Sequence, residues 1–205
     1  MLLAEQALVG LRLRGQQVQT AVTVFADEVR RRSSAGLGAV DSRTLLTVLH
    51  DLPVDLPVPR STLDAHALRT LHTAPPGVVD LREDEQSVVV RCLVPAVRVE
   101  LVLVHGPHGI SSRDWDAAVR DASQFAPFCA RGVVVSPPAP ERGLLPDMDL
   151  LLLKARFYGV GVAVHQPTGP LRWLLEPAPY RPERHSAAQW LFHEQAWRQL
   201  GPDRS

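Results

Sequence analysis

The segment Val97–Val104 (VRVELVLV) does most to constrain what this chain can fold into. It is short, apolar and β-branched, which is the signature of a strand buried on both faces. Val133–Val135 and Val160–Val164 repeat the signal. Helical stretches separate the three runs. Ser111 or Ser112 can cap the first helix, Asp114 and Asp116 suit its first turn, and Trp115, Val119, Ala122, Phe125 or Ala126, and Cys129 form its apolar stripe. Asp147–Tyr158 reads as the second helix, and the proline-rich stretch 137–146 as the connection before it. Leu171–Leu175 is a last strand, and Ser186 caps a terminal helix with Trp190, His193, Trp197 and Leu200 on one face. Parallel strands need crossover connections, so this alternation predicts an α/β fold with a mixed sheet flanked by helices over 78–205.

Residues 1–77 read as a helical N-terminal segment. Ala4, Leu8, Leu11, Gly15, Val18, Val22, Phe25 and Val29 alternate at spacings of four and three, a heptad stripe. A long amphipathic helix over 3–32 is the expectation, packing on the body or forming a dimer seam. Against it stands a strand reading of Val18–Phe25, and Leu11 and Leu13 alternate like a strand before Gly15. Ser33–Gly38 is a linker by composition. Asp41 or Ser42 caps a short helix through His50. Ser61 or Thr62 caps another that carries Leu63, Ala67, Leu68 and Leu71. Val78–Arg82 and Ser87–Val94 read as two strands around an acidic turn.

Composition bounds the function classes. The 205 residues carry 22 Lys+Arg against 22 Asp+Glu, with a 45% apolar content too high for a disordered chain. Residues 1–34 are net +2, the middle of the chain is mildly acidic, and 151–205 are net +3, so a polyanion contact is expected at the ends. Only one of the basic residues is lysine, Lys154. Cys92 and Cys129 cannot build a disulfide framework, and their apolar surroundings suit reduced thiols in a cytoplasm. The N-terminus lacks a basic stretch before an apolar run, and no run is long enough for a bilayer, so neither secretion nor a membrane partner is expected.

Two resemblances carry functional expectations. Leu56–Leu71 (LPVPRSTLDAHALRTL), with the hairpin after it as a wing at 78–94, resembles the turn and recognition helix of winged-helix regulators. The resemblance implies DNA reading by Arg60, Ser61, Thr62, Asp64 and His66 and phosphate contact by the wing. Two features depart from it: the proline-rich middle helix, and the acidic wing tip of Asp84 and Glu85.

The second resemblance rests on Val99-Glu-Leu-Val-Leu-Val104, the helix through Gln124-Phe125, the strand Gly132–Pro137, and Leu150–Val164 (LLLLKARFYGVGVAV). This order resembles the restriction-endonuclease-like, or PD-(D/E)xK, superfamily over roughly 78–175. The resemblance implies a divalent metal such as magnesium held by carboxylates, with a lysine two residues after the glutamate. Glu100 matches the glutamate, but Val102 stands where the lysine should be. Lys154 is the only substitute. The expectation is therefore a catalytically inactive, degenerate nuclease fold with no cofactor, an enzyme only if Glu100 and Lys154 act together.

Other constellations are weaker. His105 and His108 with Glu100, and His165 more distantly, form a candidate metal set, against the commoner meaning of a polar turn. Asp147 and Asp149 suit a helix start better than a metal. Ser111 and Ser112 suit capping better than nucleophilic attack. Arg30, Arg31, Arg32, Arg181, Arg184 and Arg198 join Arg60 and Thr62 as candidate nucleic-acid contacts. The leading expectation is a non-catalytic, DNA-associated or regulatory protein, homo-oligomeric and cytoplasmic. A metal-dependent nuclease with a non-standard site and a protein-interaction or assembly subunit are the alternatives.

Overall fold

A computed structural model describes residues 7–82, 87–106, 112–135, 148–165, 171–181 and 185–201. In chain order the elements are β1 (Leu8–Leu13), β2 (Gln16–Val24), α1 (Ala26–Ser34), α2 (Arg43–His50), β3 (Pro57–Pro59), a 3₁₀ turn (Arg60–Thr62), α3 (Ala65–His72), β4 (Val79–Arg82) and β5 (Val88–Arg91). There follow β6 (Val97–His105), α4 (Ser112–Ser123), β7 (Ala130–Val135), α5 (Met148–Phe157), β8 (Gly161–Val164), β9 (Arg172–Leu175) and α6 (Ala187–Leu200). The chain is α/β, with a mixed six-stranded sheet in the order β1-β2-β6-β7-β8-β9.

The chain folds into two compact units, one of Met1–Thr23 with Val99–Glu183 and one of Val24–Arg98 with Arg184–Ser205. The boundary expected at 77/78 falls inside the second. The N-terminal hairpin joins the large sheet, and the C-terminal helix contributes Trp190 to the core around α2. Neither association is visible as a local composition change.

In the first unit, β6, β7 and β8 run parallel, joined by the crossovers through α4 and α5. Leu101, Leu103, Ala130 and Val134 share one sheet face and bury against Ala21. Val102, at 0% exposure, lies on the other face, as the period of two requires. Trp115 of α4 is fully buried and donates its indole N–H to the Leu151 carbonyl of α5 at 3.2 Å. Trp115, Val119, Ala122, Phe125 and Cys129 are all buried, although the helix itself ends at Ser123. Gly161 is required by space: a Cβ there would stand 2.7 Å from the Trp173 ring.

The long helix expected over 3–32 is not formed. Leu8–Leu13 and Gln16–Val24 pair as an antiparallel hairpin, and only Ala26–Ser34 is helical. The two-residue turn Arg14-Gly15 has φ of 51° and 81°, the left-handed pair that matches strand twist. The β-branched run Val18–Val24 favours strand, and Gly15 would weaken a helix interior by about 1 kcal/mol, so the strand reading prevails over the heptad spacing. The helix α1 then takes up Ser33 and Ser34, the start of the expected linker.

In the second unit, Ser42 caps α2 through the Leu45 N–H at 3.2 Å. The cap of α3 is Asp64, whose carboxylate accepts from Ala67 N–H at 2.7 Å, and not Ser61 or Thr62. Those two lie in the 3₁₀ turn after Pro59, and the extended Leu63 separates that turn from the helix. The antiparallel strands β3, β5 and β4 form a small sheet in that order. Pro57 and Pro59 sit in its edge strand, where a missing N–H is tolerated. Leu45, Leu46, Leu49, Leu71, Val78, Val89 and Leu93 make the core with Trp190.

A buried ionic cluster runs through this unit. Arg32 is 0% exposed and donates to both oxygens of Glu194, at 2.8 and 2.7 Å, to Glu28 at 2.8 Å and to the Val94 carbonyl at 2.6 Å. Glu194 also accepts from Val40 N–H at 2.9 Å and Trp190 Nε1 at 3.1 Å. Glu28 accepts two further bonds from Arg31, at 2.7 and 2.8 Å. Burial lowers the Arg32 pKa, but the hydrogen bonds and charges of Glu194 and Glu28 together outweigh it and hold the guanidinium above its ordinary value.

Burial likewise raises the Glu28 carboxyl, yet hydrogen bonds from Arg31 and Arg32 bring it below its ordinary 4.5. A depressed carboxyl stabilises the fold above its unfolded pKa and loses that contribution as pH falls through its folded pKa. Glu28→Gln should therefore flatten the decline in stability below pH 4.5, read as the pH dependence of the urea midpoint. At neutral pH, Arg32→Met should lower the unfolding free energy by about 3–5 kcal/mol, because it strands a buried carboxylate. Arg30→Ala, which removes only a surface pair with Asp27, should leave the midpoint nearly unchanged.

Candidate functional site

Glu100 and Lys154, the residues on which the nuclease resemblance would depend, are engaged with different partners. Glu100 is half-buried on β6 and accepts a hydrogen bond from the Thr23 hydroxyl at 2.9 Å. Val102 shares its face, fully buried in apolar packing, so neither a charge nor a donor stands beside Glu100 at the lysine position. Lys154 is committed elsewhere. Its ammonium pairs with Asp116 of α4 at 2.5 Å and lines a cleft of about 290 Å³ with Val119, Arg120, Ser123 and Tyr158. A metal held by Glu100 with Lys154 as its cationic partner does not fit these residues, and no step is derived through one.

Strand geometry separates Glu100 from His105. His105 lies five residues beyond Glu100 on the same strand, which puts it on the opposite face and roughly 16 Å along. His165 ends β8, with β7 between it and His105. His108, Ser111, Asp84, Glu85 and Asp147 lie outside the described residues. Among the described residues no three His, Cys, Asp or Glu side chains converge to hold an ion. Cys129 is buried among apolar groups, which pushes its thiol far above the ordinary value and away from nucleophilic chemistry.

The basic candidates divide sharply. Arg32 is inside the ionic cluster and is not a DNA contact. Arg31 bonds Glu28 and donates to the Gly77 carbonyl at 2.7 Å, so it too is structural. Arg30 pairs with Asp27 and Arg198 with Asp41 on the surface. Arg181 is exposed, and Arg184 lies outside the described residues. Thr62 is exposed, with its hydroxyl turned back to the Pro59 carbonyl at 2.7 Å. Asp64 is consumed as the α3 cap.

What remains is the outer face of α3. His66, Arg69 and His72 are exposed at helical spacing, while Leu71 faces the core. Arg60 donates to His72 Nε2 at 2.6 Å, which joins the 3₁₀ turn to this face and defines Nε2 as the acceptor. Arg43, exposed at the start of α2, lines a cleft of about 560 Å³ with Thr62, Asp64 and His66. Arg69, His72 and Arg43 were not among the sequence candidates. The signal for Arg69 was present: it falls three residues after His66 in a helix whose inward positions are Leu68 and Leu71.

No protein-family model, curated protein or solved structure matches the chain. Among the described residues, no helix is long and apolar enough to cross a membrane. Magnesium or manganese at millimolar levels should leave the thermal midpoint unshifted, and Glu100→Gln should not alter that result. A metal-dependent rise lost in the variant would establish a site there.

Proposed function

We propose that this chain is a non-catalytic, DNA-associated or regulatory protein that contacts DNA through the outer face of α3. One observation carries the reading. The order α2, β3, α3, β4, β5, with β3 added to the hairpin as β3-β5-β4, is the arrangement expected of a winged-helix module, and α3 turns Arg69, His66 and His72 outward. Arg60 extends the basic face at one end and Arg43 lies beside it. A degenerate restriction-endonuclease-like fold for the first unit goes with this reading, supported by its parallel β6-α4-β7-α5-β8 order and the mismatch at Val102. So does a cytoplasmic location, supported by two free cysteines.

The test is fluorescence anisotropy with a DNA duplex across a salt series. Binding should weaken with salt. Arg60→Ala and Arg69→Ala should each reduce affinity and lower the slope of log K against log salt by about one. Arg172→Ala, exposed at the start of β9, is the control. Absence of binding to single- and double-stranded DNA at low salt overturns the proposal. Metal-dependent cleavage abolished by Glu100→Gln would replace it with the nuclease reading.

A second reading, an assembly subunit that pairs with a second copy of itself, is favoured by α5. Leu150, Leu153 and Phe157 are 64%, 64% and 82% exposed and form one stripe at i, i+3 and i+7. Asp149 and Arg156, both exposed, flank it at opposite ends. An antiparallel pair of such helices about a two-fold axis would set Leu150 against Phe157 of the second copy and Asp149 near its Arg156. Sedimentation should give a dimer that Leu153→Asp and Phe157→Asp convert to monomer; a wild-type monomer at high concentration removes this reading.

A further inference from the structure

The second unit contains a cavity of about 680 Å³, within the range of small-molecule sites. Two aromatic rings, Phe25 and Trp190, and two guanidinium groups, Arg91 and Arg98, lie on its wall, with His50 and His185 at the same cavity. The guanidinium of Arg91 stands 4.4 Å from the Trp190 ring centroid, and that of Arg98 stands 6.0 Å from the Phe25 ring.

The anchoring of Arg91 is unusual for a partly buried cation. Its Nε donates to the Leu93 carbonyl at 2.9 Å, and its Nη1 to the carbonyls of Leu49 and Leu52 at 2.9 and 3.0 Å. Three carbonyls orient the group but bring no formal charge to neutralise it. Burial accordingly lowers its pKa, opposed by the charge of Asp55. The carboxylates on the cavity wall are occupied: Glu28 by Arg31 and Arg32, and Asp27 by Arg30. The imidazoles are engaged as donors, His50 Nε2 to the His185 carbonyl at 2.9 Å and His185 Nδ1 to Gln189 Oε1 at 3.2 Å, which suits a lining rather than a metal site. A cation held in place by neutral groups, beside aromatic faces in a cavity of this size, is an arrangement complementary to an anion with an apolar body.

We propose that this cavity binds a small organic anion, with its charged group at Arg91 and its apolar body against Phe25 and Trp190. Carboxylate and phosphate share the required chemistry. The site is independent of the DNA reading, since none of its wall residues belongs to the α3 face.

Calorimetry and thermal shift on the full chain test the proposal, with benzoate and phenyl phosphate as anionic probes, benzamide as the neutral isostere and inorganic phosphate as the anion without an apolar body. Both or one of the aromatic anions should bind saturably and raise the thermal midpoint; which of them binds tighter identifies carboxylate or phosphate. Benzamide and inorganic phosphate should bind at least about ten-fold more weakly. Arg91→Gln should remove anion binding. Because Arg91 also ties three carbonyls together, Arg98→Gln and Phe25→Ser serve as variants at more exposed positions, each expected to weaken binding with the midpoint of the free protein little changed. No saturable binding of either aromatic anion overturns the proposal, as does equal binding of benzamide or indifference to all three substitutions. Anisotropy with DNA on the same preparations keeps a failure here separate from a failure of the DNA reading.

Discussion

The bidentate pair between Arg32 and Glu194 is the constraint on which the second unit depends. A guanidinium and a carboxylate with no solvent access are tolerable only when every donor and lone pair is engaged. Here they are engaged by Glu28, Val94, Val40 and Trp190. The two residues are 162 positions apart, and the unit is built from two separate chain segments. The pair therefore fixes where α6 returns. Hydrophobic burial alone would hold α6 against α2 but would not define its register, because apolar contact is not directional.

The same cluster redirects the functional argument. Three consecutive arginines at the end of α1 suggest a polyanion contact when read in isolation. Two of them are spent inside the fold, and Arg69 of α3 with Arg60 of the 3₁₀ turn before it offers basic surface in their place. Neutral overall charge is compatible with that, since a local face of a few cations is enough to orient a protein on a phosphate backbone. Lys154, the only lysine, turns out to join α4 to α5 through Asp116. At Glu100 the carboxylate accepts from the Thr23 hydroxyl, and Val102 puts apolar packing where the lysine would stand.

Legibility in the sequence followed the strength of local periodicity. The strands β6, β7 and β8 and the stripe Trp115, Val119, Ala122 were readable because a buried parallel strand or a helix facing a sheet imposes its own spacing. The paired strands β4 and β5 were readable for the same reason. The first 25 residues were not, because the positions Leu11, Val18 and Val22 satisfy a heptad while the residues between them satisfy a strand. The α3 cap was misread by two or three positions because Ser61, Thr62 and Asp64 are all competent caps, and only the extended backbone at Leu63 selects among them. Nothing local marks Glu194 as buried: it lies one residue after His193 on a helix, and its environment is made by segments far away in the chain.

By itself, then, the sequence determined the α/β class, the order of strands and helices from Val97 onward, and the absence of a lysine two residues after Glu100. These are properties of neighbouring residues, set by side-chain period and identity. The tertiary structure alone decided that the N-terminal hairpin joins the large sheet, that Arg31 and Arg32 turn inward, that Arg69 and His72 turn outward, and that Arg91 lies at a cavity with three backbone carbonyls as its hydrogen-bond partners. Each of those depends on which distant segment shares the space around a side chain, and desolvation by a remote segment leaves no trace in the local pattern.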